Sequence, residues 1–221
     1  MTVLADLEAR LADHGLKLRG AFHVEPGDAA PEDAGTIVLV GNAGPSMWRV
    51  FAEAKRDEPH ALDAWTKRVV GSIAADCGGY GLYPSDGPPY FPFQKWAARA
   101  EPIYSSPIGI AIHPVYGLWH AYRAAMIFST VLDIPQRQDQ PSPCESCTEK
   151  PCLSTCPVNA FSGAGYDVPA CAAHLSIDAG SDCMDLGCRA RRACPVGRDY
   201  HYDPAQAAFH MQAFLAPRLM K

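Results

Sequence analysis

The sequence predicts an α+β protein with two domains: an α/β domain over residues 1–136 and a cysteine-rich domain over residues 137–221. Three observations support this division. Helix-like and strand-like apolar patterns alternate in the first part, and a segment rich in proline and polar residues follows them. All nine cysteines except Cys77 lie beyond that segment. At 221 residues the chain is long enough to bury a substantial core.

The first part begins with a helix pattern. Leu4, Leu7 and Leu11 recur at helical spacing among charged residues, which predicts an amphipathic helix rather than a signal peptide. The segment GTIVLVGNAGPSMWRVF, residues 35–51, predicts a buried strand at Thr36–Val40, then a turn with glycine and proline, and then a helix.

The rest of the first part continues the mixed pattern. Residues 63–76 predict a helix, and residues 77–93 predict a long loop rich in glycine, proline and aromatic side chains. Long loops of this kind often cover ligands. Residues 103–114 predict a strand and residues 115–133 predict a helix. The segment IPQRQDQPSPC, residues 134–144, is interpreted as a linker.

Composition limits the expected partners and compartment. A net charge of −5 argues against nucleic acid as a partner, because phosphate binding needs a basic surface. No apolar run approaches the roughly 20 residues of a membrane span. We therefore expect a cytoplasmic protein with no membrane partner.

In that reducing compartment, clustered thiols bind metal or do chemistry more often than they form disulfides. Cys77 stands apart and is interpreted as a small buried apolar residue.

The most informative motif is the run CESCTEKPCLSTCP at residues 144–157. Two-cluster ferredoxins use a run C-x2-C-x2-C-x3-C-P, whose first three cysteines bind one [4Fe–4S] cluster and whose fourth binds the other. The run here has two extra residues between its second and third cysteines. It predicts a ferredoxin-like module whose first cluster is bound by Cys144, Cys147 and Cys152. Cys156 then belongs to a second cluster.

The later cysteines complete both ligand sets. Cys194 precedes Pro195 and so repeats the C-P ending, which predicts that it returns to the first cluster. The second cluster is then bound by Cys156, Cys171, Cys183 and Cys188. Zinc is an alternative, because eight thiolates can hold two zinc ions, although zinc ribbons prefer two C-x2-C pairs and only one is present. A single cluster with an incomplete second site is another, because the spacing Cys183-x4-Cys188 is irregular. A helix is predicted after Asp203 and Pro204.

The order of these cysteines resembles the iron–sulfur part of the epoxyqueuosine reductase family, cobalamin-dependent enzymes of tRNA modification. In that family a solitary cysteine before a short helix joins the second cluster together with a later pair. The matching residues in this chain are Cys171, within CAAHLSID, and the pair Cys183 and Cys188. The resemblance covers about residues 140–200, with a wider pair spacing and a shorter chain than is usual in the family.

The first part is similar, over about residues 35–130, to cobalamin-processing proteins of the CblC type. The segments that carry the similarity are VLVGNAGPSMWRVF, GPPYFPFQKW and IHPVYGLWHAYRAAMIF. This resemblance implies a nitroreductase-like α/β fold and a bound cobalamin. The residues that it implies as cofactor contacts are Gln94, His113, Trp119 and Arg123.

Ordinary packing can also explain these residues. Trp119, Tyr122 and Met126 recur at helical spacing, as core residues do. His113 can simply close a turn before its proline, and Arg123 can form a salt bridge instead of binding an anionic ligand. A basic patch near the last cysteines can raise a cluster's potential, dock an acidic electron donor or form a solvated helix face. Its members are Arg189, Arg191, Arg192 and Arg198.

These patterns lead to one hypothesis and two alternatives. The hypothesis is an iron–sulfur redox protein that passes electrons from a donor of ferredoxin or flavodoxin type, through two [4Fe–4S] clusters, to a bound corrinoid. The reaction would be reduction of the cobalamin or removal of its upper ligand. An aromatic pocket would also suit a flavin. The alternatives are a ferredoxin-type electron carrier with no corrinoid and a structural zinc protein. No side chain is predicted to act as acid or base.

Overall fold

A computed structural model describes residues 2–163 and 165–219. The chain forms two compact units, each built from two segments. The first unit holds the residues up to Pro102 together with His120–Gln140, and the second holds Ile103–Trp119 and the residues from Pro141 on. The chain passes from the first unit to the second for the last time after Gln140, close to the boundary that was predicted after residue 136. The segment Ile103–Trp119 differs from the prediction, because it was assigned to the first domain and is part of the second unit.

Helices and strands alternate along the first part of the chain, and short elements dominate the second part. In chain order they are α1 (Val3–Ala12), β1 (Lys17–His23), β2 (Thr36–Ala43), α2 (Ser46–Ala54), α3 (Ala61–Asp76), β3 (Tyr80–Leu82), α4 (Phe93–Ala100), β4 (Tyr104–Ser105), β5 (Ala111–Ile112), β6 (His120–Phe128), α5 (Pro143–Ser146), α6 (Pro151–Ser154), β7 (Phe161–Ser162), β8 (Gly165–Tyr166), α7 (Val168–Leu175), α8 (Ser181–Leu186), α9 (Arg189–Arg192) and α10 (Pro204–Leu219). The predicted helices α1, α2, α3 and α10 and the predicted strand β2 are therefore confirmed.

The first unit is built on a four-stranded antiparallel sheet with the order β1-β2-β6-β3. Every residue of β2 is buried, and so are the last five residues of β6. Helix α3 packs against β3 and β6, and α4 packs against β1 and β2. Strands covered on both faces need apolar residues at consecutive positions, which explains the uninterrupted runs TIVLV and AAMIF.

The helix predicted for residues 115–133 is wrong. Its central part forms β6, which pairs with β2 from Phe128 opposite Thr36 to His120 opposite Ala43. The helical spacing of the aromatic residues and Met126 in this segment is coincidental. Pairing with a strand about 80 residues earlier in the chain outweighs the local pattern, because side-chain packing across a sheet decides strand formation more than local preference does.

A buried ion pair connects β1 to the end of α4. The Arg19 side chain is fully buried, and its Nε lies 2.8 Å from Oε1 of Glu101. Its Nη1 also donates to the carbonyl oxygen of Asn42, at 3.1 Å. Removing one partner of such a pair leaves an uncompensated buried charge, so the pair fixes how β1 and α4 meet.

The second unit consists of short helices and two small hairpins. The strand predicted over residues 103–114 is a hairpin of β4 and β5, whose turn is closed by a hydrogen bond from Gly109 N to the Ser106 carbonyl oxygen. Helix α6 packs against α9, and α10 packs against α7 and α8. Residues 134–142 contain no helix or strand, as the linker prediction expects. Within the described ranges, no helix combines the length and apolar character that a membrane span requires.

Candidate functional site

Four of the clustered cysteines line one cavity in the second unit. Cys144 lies in α5 and Cys152 in α6, whereas Cys194 follows α9 and comes about 40 residues later in the chain. The cavity lining includes Cys144, Cys147, Cys152 and Cys194. The side chains of Cys152 and Cys194 are only 8% and 7% exposed. The structure thus brings together the four cysteines that were predicted to share the first cluster.

The thiols of this set influence one another. Burial raises the pKa of the Cys144 thiol, and the neighbouring Cys194, Cys152 and Cys147 raise it further. Burial also raises the pKa of Cys152, with smaller increases from Cys194 and Cys147. All four cysteines line the same cavity, so their thiols are near enough to influence one another's pKa.

The other four cysteines are those predicted to bind the second cluster. Burial raises the pKa of Cys171, and Cys156 and Cys183 raise it further, while a hydrogen bond from the Tyr166 hydroxyl lowers it. Burial likewise raises the pKa of Cys188, with further increases from Cys183 and Cys171. Cys156 is therefore a neighbour of Cys171, and it packs in the same apolar cluster as Cys152 and Cys194 although it does not line their cavity.

The local fold explains why Cys156 does not line the same cavity as the other three cysteines of the run at residues 144–157. Helix α6 ends at Ser154, and the chain turns at Pro157. A hydrogen bond from Asn159 N to the Cys156 carbonyl oxygen closes the turn, and Asn159 has a left-handed φ of +50°. The Ala160 N–H then donates to Cys156 Sγ at 3.3 Å. Asparagine tolerates this backbone conformation better than most residues, so the sequence favours the turn.

Apolar side chains surround both sets. Ile108, Ile112 and Leu118 pack in one buried cluster with Cys152, Cys156 and Cys194. Leu175 and Leu215 pack against Cys183. Ile108, Ile112 and Leu118 were not identified from the sequence, although the alternation in IGIAI, residues 108–112, is a usable signal for one buried face. This packing explains why Ile103–Trp119 belongs to the second unit.

In residues 2–163 and 165–219, no three His, Cys, Asp or Glu side chains are arranged to share a single metal ion.

His113 lies in a tight turn of the second unit. Its Nδ1 accepts hydrogen bonds from the backbone N–H groups of Val115 and Tyr116, at 3.0 and 3.2 Å. Its ring stacks on that of Tyr116 with centroids 4.4 Å apart. These contacts support the turn-closing interpretation of His113, and they occupy the ring nitrogen Nδ1.

Trp119 is buried in the same unit, with 2% of its surface exposed. The Arg191 guanidinium lies 4.5 Å from the centre of its ring, and the His201 ring lies 4.3 Å away. Burial lowers the pKa of His201, and the nearby Arg198 and Arg191 lower it further. The His201 ring is therefore neutral where it packs on Trp119.

The predicted basic patch is largely engaged in contacts within the unit. Arg189 and Arg192 both pair with the carboxylate of Asp182, the former at 2.6 Å. Arg191 donates to the carbonyl oxygen of Leu118. The single carboxylate of Asp182 balances one of the four positive charges of the patch.

The other two predicted cofactor contacts belong to the first unit. Gln94 is exposed in the first turn of α4. Arg123 is half-buried on β6, and its Nε donates to Oδ1 of Asn42 at 3.2 Å. Arg123 also lines a cavity of about 290 Å³ together with Asp63, Thr66, Tyr83, Pro84, Ser85 and Tyr122. The structure thus places two of the four predicted residues in each unit. Part of the predicted ligand-covering loop, Tyr83 to Ser85, borders this cavity.

Cys77 lies in the first unit, apart from the eight clustered cysteines. It is half-buried, and its Sγ donates to Oδ2 of Asp6 at 3.5 Å. Burial raises the pKa of this thiol, and the hydrogen bond with Asp6 adds to the effect. A thiol of raised pKa is less reactive. The interpretation of Cys77 as a small buried apolar residue is correct only in part, because the residue is half-buried and its thiol is hydrogen-bonded.

The architecture is therefore a helix-flanked antiparallel sheet combined with a unit that carries eight cysteines, four of which line one cavity. No protein-family model and no curated protein matches the sequence. Solved structures do resemble the fold. Epoxyqueuosine reductase from Streptococcus thermophilus aligns with 92% of this chain and 69% of its own, at 14% identity and a TM-score of 0.54.

Two further structures extend the comparison. An epoxyqueuosine reductase with an epoxyqueuosine-modified tRNA-Tyr stem loop aligns with 92% of this chain and 69% of its own, at 17% identity and a TM-score of 0.50. The B12-trafficking protein CblC of C. elegans aligns with 97% of this chain and 94% of its own, at 15% identity and a TM-score of 0.49. The reductase resemblance covers most of the chain, so the expected division into one half like each family is not supported.

The tRNA stem loop bears on one sequence-based expectation. A net charge of −5 argued against nucleic acid as a partner, but a protein of similar fold has been solved with an RNA. The expectation is at odds with this neighbour, and net charge alone does not exclude RNA for a protein of this fold. Local charge distribution, rather than total charge, governs binding to phosphates.

Proposed function

We propose that the chain is an iron–sulfur redox protein that passes electrons through two [4Fe–4S] clusters to a bound corrinoid. The observation that carries the proposal is the separation of the eight cysteines into two sets of four. Cys194 lines a cavity with three cysteines of the early run, whereas Cys156 leaves that run and lies near Cys171. This crossed arrangement is the ligand pattern of two-cluster ferredoxins.

The donor set fits this cofactor. A four-iron cluster takes one thiolate at each of its iron atoms, so its ligands surround a cavity instead of converging on one point. The residues proposed to hold the first cluster are Cys144, Cys147, Cys152 and Cys194, and those for the second are Cys156, Cys171, Cys183 and Cys188. When bound, the clusters would supply one-electron transfer.

The surrounding residues would tune the potential of each cluster. The N–H of Ala160 donates to Cys156 Sγ, and backbone N–H groups at the start of α9 donate to Cys188. Hydrogen bonds to sulfur raise a cluster's reduction potential, because they stabilise the more negative reduced state. Ile108, Ile112 and Leu118 exclude water from the cysteines and so act in the opposite direction.

Metal and sulfide analysis after anaerobic reconstitution tests this part of the proposal. We expect about eight irons and eight acid-labile sulfides per chain, since each cluster contains four of each. About four irons would reduce the proposal to one cluster. Tight zinc without labile sulfide would favour the structural zinc alternative and overturn the proposal.

We further propose that the corrinoid binds to the first unit. Two observations support this: the resemblance of residues 35–130 to CblC-type proteins, and the position of Arg123 in a cavity whose lining also includes Asp63 and Ser85. A volume of about 290 Å³ lies at the lower end for ligand pockets, so we propose that Arg123 contacts an anionic part of the corrinoid and not its ring. The physiological electron donor is proposed to be a ferredoxin or flavodoxin.

Spectroscopic titration tests the corrinoid separately from the clusters. We expect the corrin absorbance of cobalamin to change on addition of excess reconstituted protein. An unchanged spectrum, both in air and under reducing conditions, would leave the electron-carrier alternative in place. The two experiments are independent, because one measures iron and sulfide and the other measures the corrin.

A further inference from the structure

Arg191 has an unusual set of contacts. Its Nε and Nη2 both donate to the carbonyl oxygen of Leu118, at 3.0 and 2.6 Å. Its guanidinium carbon lies 4.5 Å from the centre of the Trp119 ring and 4.6 Å from that of Tyr202. A guanidinium that contacts two neighbouring rings, with a paired donation to one acceptor, is held in a single orientation.

The backbone of Arg191 contacts a cysteine of each set. Its N–H donates to the sulfur of Cys188, which begins α9. Its carbonyl oxygen accepts a hydrogen bond from the N–H of Cys194, at 3.3 Å. Cys188 and Cys194 belong to different sets, so this one residue lies between both groups of thiols.

The neighbouring arginines do not share this role. Arg189 also lies on α9, but its side chain is 47% exposed and pairs with Asp182. Arg192 pairs with the same carboxylate. Asp182 lies on α8, so these two arginines connect α9 to α8. Only Arg191, among these three, connects α9 to Leu118 and Trp119.

We propose that Arg191 is a positioning residue that sets the spacing and the relative orientation of the two clusters, an inference that rests on the proposed function. The side chain fixes α9 against Leu118, and the backbone of the same residue holds Cys188 and Cys194. If α9 shifts, one ligand of each cluster moves while the other three keep their positions, so the spacing and orientation of the clusters change. Electron transfer between the clusters depends on their separation, so Arg191 would control the rate at which electrons cross the second unit.

The test is electron paramagnetic resonance of the fully reduced, reconstituted protein. Two reduced clusters on one chain interact magnetically, and the interaction changes with their spacing. We expect wild-type protein and the control R189A to show the same interaction signal. We expect R191K to show a weaker one at unchanged iron content, because lysine keeps the charge but loses the paired donation to Leu118 and the guanidinium contacts with Trp119 and Tyr202. We expect R191A to lose the signal.

If R191A does not fold, R191K and R191Q test the inference. Glutamine can still donate one hydrogen bond to Leu118, so its signal should lie between those of R191K and wild type or match R191K. A wild-type interaction signal and wild-type reduction potentials in R191K, at about eight irons, would overturn this inference alone. A wild-type chain without iron would overturn the proposed function and this inference with it.

Discussion

Gly117 packs against the backbone of Val196, and Gly197 packs against the backbone of Tyr116. A Cβ atom on Gly117 would be 2.0 Å from the carbonyl oxygen of Val196, and one on Gly197 would be 2.4 Å from that of Tyr116. Both glycines have a left-handed φ, +57° and +73°. The contact joins the segment before position 119 to the turn that follows Cys194, so it helps to position that cysteine.

Substitution of Gly117 by alanine should therefore destabilise the second unit. Gly109 is the matched control, because it also has a left-handed φ, +76°, but a Cβ there would meet no atom within 4 Å. We expect G109A to cost about 1–2 kcal/mol in the free energy of unfolding from backbone strain alone. We expect G117A to cost about 2–4 kcal/mol, since Val196 must also move. Denaturant unfolding followed by far-UV circular dichroism measures both, and equal effects would contradict the importance of this contact.

The pairing of the cysteines can be tested by double substitution. We expect C156A and C171A each to lose one cluster, and the double variant C156A/C171A to lose no more iron than either alone. C156A/C194A should lose both clusters, because its two positions belong to different sets. C77A is the control and should retain all the iron. Iron analysis and the spectra of the reduced variants provide the measurement, and a greater iron loss in C156A/C171A than in C156A would refute the crossed pairing.

Arg123 should contribute to binding of the corrinoid. We expect R123A to weaken cobalamin binding by roughly 1.5–3 kcal/mol, or about 10- to 150-fold, as for loss of a hydrogen bond to a charged group. K95A is the control, because Lys95 is an exposed cation of the same unit on α4. Titration of the corrin absorbance gives the dissociation constants. Equal binding by R123A and K95A would remove Arg123 from the proposed site.

Tyr80 offers a prediction on pH dependence in the first unit. Its hydroxyl donates to Oδ1 of Asp33 at 2.8 Å, and burial together with this carboxylate raises the pKa of Tyr80 to about 12. The folded state therefore retains the proton more strongly than the unfolded state, so the stability gained is present below pH 10 and is lost as the pH rises toward about 12. Absorbance titration of tyrosinate should lose a component near pH 12 in Y80F. Tyr90, which is 67% exposed, provides the control Y90F. Loss of the same high-pH component in Y90F would contradict the assignment.

The sequence contains enough information for the central strand β2 and for helices α1, α2, α3 and α10, but not for the edge strands β1 and β3 or for the other central strand, β6. Strand β2 is recognisable because its apolar run is short and bounded by glycine. Strand β6 is not, since its apolar run is compatible with a buried helix and its partner strand is distant in sequence. Local patterns do not contain the pairing that decides between the two.

The candidate site, like the fold, was predictable from the sequence only in part. The proposed crossing of Cys156 and Cys194 is predicted from the motif, because the C-P ending is typical of two-cluster ferredoxins. The apolar residues around the cysteines, such as Ile112 and Leu118, come from a segment inserted between two strands of the other unit, and no spacing rule connects them to the motif. The paired contacts of Arg191 depend on the same long-range packing, so sequence analysis could describe it only as one member of a basic patch.

Anaerobic reductive titration of the reconstituted chain, with and without cobalamin, tests the central claim most directly. Without cobalamin, we expect the chain to accept about two electrons, one for each cluster. With cobalamin, we expect further uptake, accompanied by the absorbance change of a reduced corrin. A chain that accepts no electrons would contradict the cluster assignment. A chain that accepts about two electrons yet leaves the corrin spectrum unchanged would contradict electron transfer to a corrinoid.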